Sequence, residues 1–268
     1  MNPAEFANIA RVERDFWWHR GMRAIAFTLL DEAAQKRSIR QVLEAGCGTG
    51  YFASQVEARY GWQVTALDVA YEGVSHATVL RRVQADIRQL PFREDFEAVL
   101  CLDVLVHFAR GEEAAALQEF SRVLRPGGVL LLRVAALDAL RSRHSEFAHE
   151  RQRFTRTRLI QAVTRAGLRV VRCTYANSLL LPVAWFKFRL WEPLWNSPPA
   201  SGLQELPGWL NRLLEVPLKL EARAVQLGIN LPLGQSLILV AEKGRLESKP
   251  AQPGLLSLHA GSGVRAKR

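Results

Sequence analysis

At 268 residues with ordinary globular composition, the chain is long enough for one well-buried α/β domain plus an appendage, which excludes a disordered or fibrous class. Its net charge of +10 comes mostly from arginine and runs along the whole sequence to Arg265, Lys267 and Arg268. Such a balance favours acidic neighbours without choosing among nucleic acid, an anionic membrane surface and a phosphorylated metabolite. Cys47, Cys101 and Cys173 stand far apart, which excludes a disulfide framework and a Cys-x-x-Cys metal site; no metal is expected.

Met1 to Arg14 lacks the apolar segment of a signal peptide, so a cytoplasmic location is expected, with peripheral contact at the inner membrane surface as the alternative. Phe16-Trp17-Trp18-His19-Arg20 follows, and then Met22, Ile25, Ala26, Leu29 and Ala33 recur at helical spacing, predicting an amphipathic helix over 21–36. Two adjacent tryptophans cannot share a helix face, so one is expected in the core while the other covers a ligand or partner. The flanking Arg20 and Arg23 suit a carboxylate. Residues 1–40 read as an N-terminal helical cap.

Val42-Leu43-Glu44-Ala45 is a strand that stops at Gly46-Cys47-Gly48-Thr49-Gly50, after which a helix runs from about Tyr51 to Tyr60. Alternate glycines let the backbone turn and come close to a bound molecule, where the new helix presents unpaired N–H groups. The spacing is neither Gly-x-Gly-x-x-Gly nor a P-loop. A second strand, 62–68, ends on Asp68, and a carboxylate there, about twenty residues past the glycines, can accept ribose hydroxyls; capping of the following helix is the structural alternative.

A helix through Val74 and Leu80 leads to a short strand, Val83 to Asp86, and then to Leu90-Pro91-Phe92. Phe96 to Leu102 is a buried-type strand followed by Asp103 and His107. A helix over 112–124 is broken by Arg125-Pro126-Gly127-Gly128, which launches the strand from Val129. A further helix over 155–166 precedes an outer strand over 168–175, and the last strand spans 236–243. Between them, residues 176–235 form an apolar and aromatic insertion with Trp185, Trp191, Trp195 and Trp209, whose continuous apolar run is too short for a bilayer span. It is expected to pack on its own domain, to cover the crevice, or to touch lipid or a partner subunit through 179–195. The basic tail over 245–268 has little periodicity and is expected to be disordered.

Glu44-Ala45-Gly46-Cys47-Gly48-Thr49-Gly50, Asp68, Ala85-Asp86 with Leu90-Pro91-Phe92, and Leu124-Arg125-Pro126-Gly127-Gly128 occur in this order, and together they resemble the class I S-adenosylmethionine-dependent methyltransferases. The sharp part of the resemblance covers 41–134, and the opening Glu13 to Arg23 looks like a bacterial subgroup of the methyltransferase type 11 kind, often linked to saccharide or envelope pathways. The resemblance implies a Rossmann-like α/β fold with a seven-stranded, mostly parallel sheet, an antiparallel last strand and helices on both faces. The core would then be 41–175 plus the strand at 236–244.

By the same resemblance, Glu44, Gly46, Gly48 and Gly50 shape the pocket around the methionine part of S-adenosylmethionine, Asp68 holds the ribose hydroxyls, Asp86 takes the adenine amino group, Ile87 lines the ring, and Cys47 and Val69 belong to the cofactor-binding set. Leu102 and Asp103 border the reactive centre, and Trp18 and Arg20 complete the expected cofactor set. Glu44-Ala45 departs from a more frequent Asp-Leu. His107 is the candidate general base, because an imidazole titrates near neutrality, with Asp103 as the second candidate and simple packing as the alternative for His107.

An Asn/Asp-Pro-Pro-aromatic motif is absent after the fourth strand, where Leu102-Asp103-Val104-Leu105 stands, which argues against methylation of base amines. The expected activity is methyl transfer to an oxygen or nitrogen, with carbon third, of a small-molecule, saccharide or envelope-lipid-related acceptor. A cofactor-binding protein of a membrane surface or assembly, without turnover, is the alternative from another class, and RNA methylation is a third.

Overall fold

In the computed structural model, residues 3–194, 199, 201–203 and 206–244 are described; Trp195 and the 245–268 tail lie outside them. Two N-terminal helices, α1 (Pro3–Val12) and α2 (Trp17–Lys36), precede β1 (Gln41–Ala45), α3 (Tyr51–Tyr60), β2 (Gln63–Asp68), α4 (Tyr71–His76) and β3 (Arg81–Gln84). The chain continues through β4 (Phe96–Leu102), a 3-10 turn at Leu105–His107, α5 (Glu113–Val123), β5 (Leu124–Ala135), α6 (Arg143–Phe147), α7 (Arg156–Arg165) and β6 (Leu168–Ala176). The insertion supplies α8 (Leu181–Phe186), a π-helical stretch (Lys187–Trp191), α9 (Glu192–Leu194) and α10 (Gly208–Gln226) before β7 (Ser236–Lys243).

The seven strands form one sheet in the order β3-β2-β1-β4-β5-β7-β6. The first five pair in parallel, and β7 runs antiparallel to both neighbours, pairing Leu131 with Val240 on one side and Cys173 with Leu239 on the other. Strand periodicity sends alternate residues to opposite faces. Val42, Leu100 and Leu131 join Met22, Ile25 and Val56 of α2 and α3 on one face, while Leu43, Val99 and Leu130 join Leu117, Phe120 and Leu159 of α5 and α7 on the other. Both faces are covered, which is why Ala98–Leu102 of β4 and Val129–Leu132 of β5 read as continuous apolar runs.

Four local expectations are corrected. Residues 3–12, for which no separate helix was expected within the N-terminal helical cap, form α1, and α2 begins at Trp17 rather than Gly21, placing the aromatic cluster on its first turn. α4 ends at His76 instead of running through Leu80: Ala77 turns to extended backbone and is buried. β3 stops at Gln84, because only Thr65–Asp68 of β2 offers partners, so Asp86 lies in the turn beyond the strand. β5 starts at Leu124 and carries the Arg125–Gly128 segment within it, with a register shift opposite Phe96 and Ala98.

The insertion divides its loyalties. α10 lays Leu218 and Val225, both fully buried, into the core it shares with α2. The close approach depends on Gly21, where a Cβ would stand 2.3 Å from Leu218 Cδ1. Glu221 of α10 accepts hydrogen bonds from the Ser178 and Leu179 amides at 2.7 Å each, fixing the start of α8.

Candidate functional site

The carboxyl ends of β1, β2, β4 and β5 meet at the glycine turn, where an α/β sheet builds its ligand crevice. The Gly46 and Cys47 amides both donate to the Leu67 carbonyl, at 2.7 and 2.9 Å, so the turn leaves β1 folded back over the end of β2. Gly46, Gly48 and Gly50 all have positive φ, at 81°, 55° and 70°. Their surroundings differ: a Cβ on Gly46 would lie 2.2 Å from Val104 Cγ2, whereas one on Gly48 would meet nothing within 4 Å. Gly46 is therefore a packing glycine, and Gly48 faces open space.

The acids around this turn have distinct environments. Asp68 Oδ2 accepts from the Gly48 amide and Oδ1 from the Ala70 amide, each at 2.9 Å, so the carboxylate braces the turn and keeps lone pairs over. Burial raises its pKa, opposed by those amides. Glu44 is buried, and its Oε2 has no partner. Desolvation pushes its pKa up to about 8 against a backbone hydrogen bond from Ala53, so the carboxyl is mostly neutral at pH 7.

A buried oxygen without a donor costs on the order of 1–3 kcal/mol. Glu44 thus asks for a cation, or a donor, beneath the glycine turn. Burial also raises the Cys47 thiol well above its usual range, which makes it an inert packing group rather than a nucleophile.

The N-terminal segment latches onto the same turn. Thr49 Oγ1 donates to the Glu13 carboxylate, 2.7 Å from both of its oxygens, and burial raises the Glu13 pKa. Arg23 reaches back to the carbonyls of Glu13 and Arg14 and lies over the Tyr51 ring, while Arg20 pairs with Glu215 of α10 at 3.2 Å. Arg23 is thus taken up by backbone carbonyls, whereas Arg20 meets a carboxylate of its own chain through Nε and stays exposed.

Trp18 does face the crevice end of the sheet. The Arg133 guanidinium lies 5.0 Å from its ring centroid and donates two hydrogen bonds to Asp103 Oδ2, at 2.6 and 2.9 Å. Arg133 shares a face of β5 with Leu131 and is buried, so its pairing with Asp103 meets the cost of placing an arginine in an apolar strand. Asp103 itself has φ 61°, a conformation costing about 1–2 kcal/mol outside glycine, and it turns the chain out of β4. A carboxylate committed to Arg133 is an orienting group before it is a base.

His107 sits in the 3-10 turn after Asp103, its Nδ1 3.3 Å from the His149 carbonyl. A carbonyl only accepts, so Nδ1 carries the proton and Nε2 is left as the acceptor. Burial lowers its pKa and keeps the ring neutral at pH 7. His19, beside Trp18, is pushed down to about 3 by burial and then by Arg133, and its Nε2 has no partner.

On the outer side, Val69 is 65% exposed next to Asp68, an apolar surface for a flat ring. Asp86 is held by Arg88 at 2.6 Å, which lowers its pKa, and Ile87 turns its side chain into the core with Leu67 and Leu90 rather than outward. Leu102, at the end of β4, is half-buried against the α2 face. The structure therefore brings Glu44, Gly48, Asp68, Leu102, Asp103 and Trp18 to one end of the sheet. Sequence reasoning about the site missed Glu13, His19 and Arg133; the one local signal among them is an arginine inside the apolar run 129–134. A groove lined by Arg37, Ser38, Glu97, Arg125 and Gly127 lies at the opposite, amino end of β1 and β5, away from this chemistry.

S-adenosylmethionine is a cation with an ammonium group, two ribose hydroxyls and a flat ring. The donor-hungry Glu44 suits the ammonium, the open side of Gly48 suits close passage of the ligand, and the spare lone pairs of Asp68 suit the hydroxyls. The residues present fit the group.

The family described as "Methyltransferase domain" matches residues 43–132. The chain is 33% identical over 134 residues to malonyl-[acyl-carrier protein] O-methyltransferase of Erwinia billingiae (strain Eb661), covering 48% of this chain and 53% of the relative. It is 32% identical over 133 residues to a ubiquinone biosynthesis O-methyltransferase of Xanthomonas campestris pv. campestris (strain B100), covering 43% and 54%. The chain spans about half the length of the curated relatives it matches. Among solved structures, geranyl diphosphate methyltransferase in complex with S-adenosylmethionine superposes with a TM-score of 0.51 at 14% identity, over 76% of this chain and 78% of that one, a likeness of fold. Over residues 43–132, from β1 into β5, the chain thus matches a methyltransferase domain, on a sheet whose fold solved methyltransferase structures share.

Proposed function

We propose that the protein transfers a methyl group from S-adenosylmethionine to an oxygen, and second to a nitrogen, of a small-molecule, saccharide or envelope-lipid-related acceptor. The observation that carries the reading is the buried, unpartnered Glu44 oxygen beneath a glycine turn braced by Asp68. Oxygen stands first because both relatives named above are O-methyltransferases. The exposed apolar surface of the insertion, whose helix α10 packs on the helix that carries Trp18, favours an acceptor with a lipid part.

When bound, the sulfonium supplies an electrophilic methyl with its own leaving group. The chain's task is then alignment, exclusion of water and handling of one proton. Glu44 would ionise against the ammonium, giving its proton to solvent, and Asp68 would accept from the ribose hydroxyls. Trp18 and Leu102 supply apolar walls at the ends of α2 and β4. Arg133 holds Asp103 in place, and Nε2 of His107 takes the proton from an acceptor hydroxyl.

Incubating the protein and cell extract with S-adenosylmethionine labelled in its methyl group should give one labelled small molecule by mass spectrometry. Label in RNA instead, or no label in any product while the cofactor still binds, would overturn the proposal, the latter in favour of a non-catalytic cofactor-binding protein.

A further inference from the structure

The segment from Leu181 to Leu194 is apolar almost all round, a pattern that belongs to buried helices. Yet among its described side chains only Ala184 is buried; Val183 is 63%, Phe186 55% and Leu194 79% exposed. α10 repeats the theme: Glu215, Leu218, Ala222 and Val225 turn to α2, while Trp209, Leu213, Val216 and Leu220, spaced three and four apart, face outward. Contiguous exposed apolar surface of this kind marks an interaction site.

Charge identifies the occupant. Lys187, Arg189, Arg212, Lys219 and Arg223 are exposed on these two segments. The carboxylates are withdrawn: Glu215 and Glu221 are buried, and Glu192 is half-buried, accepting from the Arg143 amide. Among the described residues of 179–194 and 206–227, no carboxylate is exposed. A second copy on the same face would set cation against cation in a self-complementary interface. A bilayer with anionic headgroups meets both needs, since tryptophan and leucine enter the interface while lysine and arginine reach the phosphates.

We propose that the 181–194 helix and the outer stripe of α10 form one docking face for an anionic lipid bilayer. No helix among the described residues is long and apolar enough to cross a membrane, so the contact is interfacial. Glu221 ties the two segments together, and Asn211 of α10 accepts from the Trp17 amide, so the face adjoins the helix turn that carries Trp18. This inference stands on exposure and charge and holds whether or not methyl transfer is observed.

Co-sedimentation with phosphatidylcholine vesicles, with and without phosphatidylglycerol, tests it. The full chain should bind the anionic vesicles and release at high salt. An Arg189→Glu/Arg212→Glu variant and a Val216→Ser/Leu220→Ser variant, each with an unchanged circular-dichroism melt, should lower the partition coefficient by about tenfold or more. Failure to bind anionic vesicles, equal binding to neutral ones, or binding undiminished in both variants overturns the proposal. So does a dimer in sedimentation velocity that Val216→Ser/Leu220→Ser dissociates, found together with no vesicle binding.

Discussion

Substituting Gly48→Asn should leave the protein folded and lower its affinity for S-adenosylmethionine by about a hundredfold or more, roughly 2.7 kcal/mol. Asparagine tolerates the left-handed φ of 55° better than other residues. A Cβ at Gly48 would meet no protein atom within 4 Å, so the new side chain projects into the space the ligand needs without disturbing its neighbours. Gly46→Ala is the contrasting case, since its methyl group would overlap Val104 and the loss would appear first in the melting temperature. Isothermal titration beside a thermal melt separates the two. Affinity unchanged in a folded Gly48→Asn protein would mean that the cofactor does not pass this turn.

The second large effect concerns His107. With Nδ1–H donated to His149 and the pKa lowered by burial, the ring is a neutral acceptor through Nε2 at pH 7. The active form is the deprotonated one, so the rate should rise through a pKa below 6.5 and then level off, placing the acidic limb of kcat/KM on the acid side of free histidine. His107→Ala should lower kcat/KM by roughly 10²–10⁴ and abolish that limb while leaving cofactor affinity intact. A loss below about tenfold with the limb unchanged would return His107 to a packing role and leave alignment as the whole of the catalysis.

What the sequence made legible follows physical rules. β4 and β7 were readable to the residue, because each centres on a run of five apolar residues, Ala98–Leu102 and Leu237–Ala241, the pattern of a strand buried on both faces. The glycine turn and Asp68 were placed at one end of the sheet by their spacing, which reflects one βαβ unit, whereas Asp86 follows β3 and lies in the turn beyond it. The chain past α4 was not, since its end depends on how few partners β2 offers to β3, a tertiary fact.

The pairs Thr49–Glu13, Arg133–Asp103 and Arg20–Glu215 join residues 36, 30 and 195 positions apart, beyond any local pattern. They explain why the carboxylate beside Arg20 comes from α10 of the same chain, and why an arginine survives inside β5. The insertion shows the same limit: helical periodicity revealed its apolar faces, and only packing showed which face α2 covers.

The most direct test of the account is calorimetric titration of the protein with S-adenosylmethionine at pH 7, in two buffers of different ionisation enthalpy. Glu44, with its pKa pushed up to about 8, is mostly protonated before binding and ionised when it meets the ammonium. The account therefore predicts one binding site, weakened in Asp68→Ala, with close to one proton released per cofactor bound. Absence of binding at any attainable concentration, or affinity unaffected by Asp68→Ala with no proton released, would contradict it.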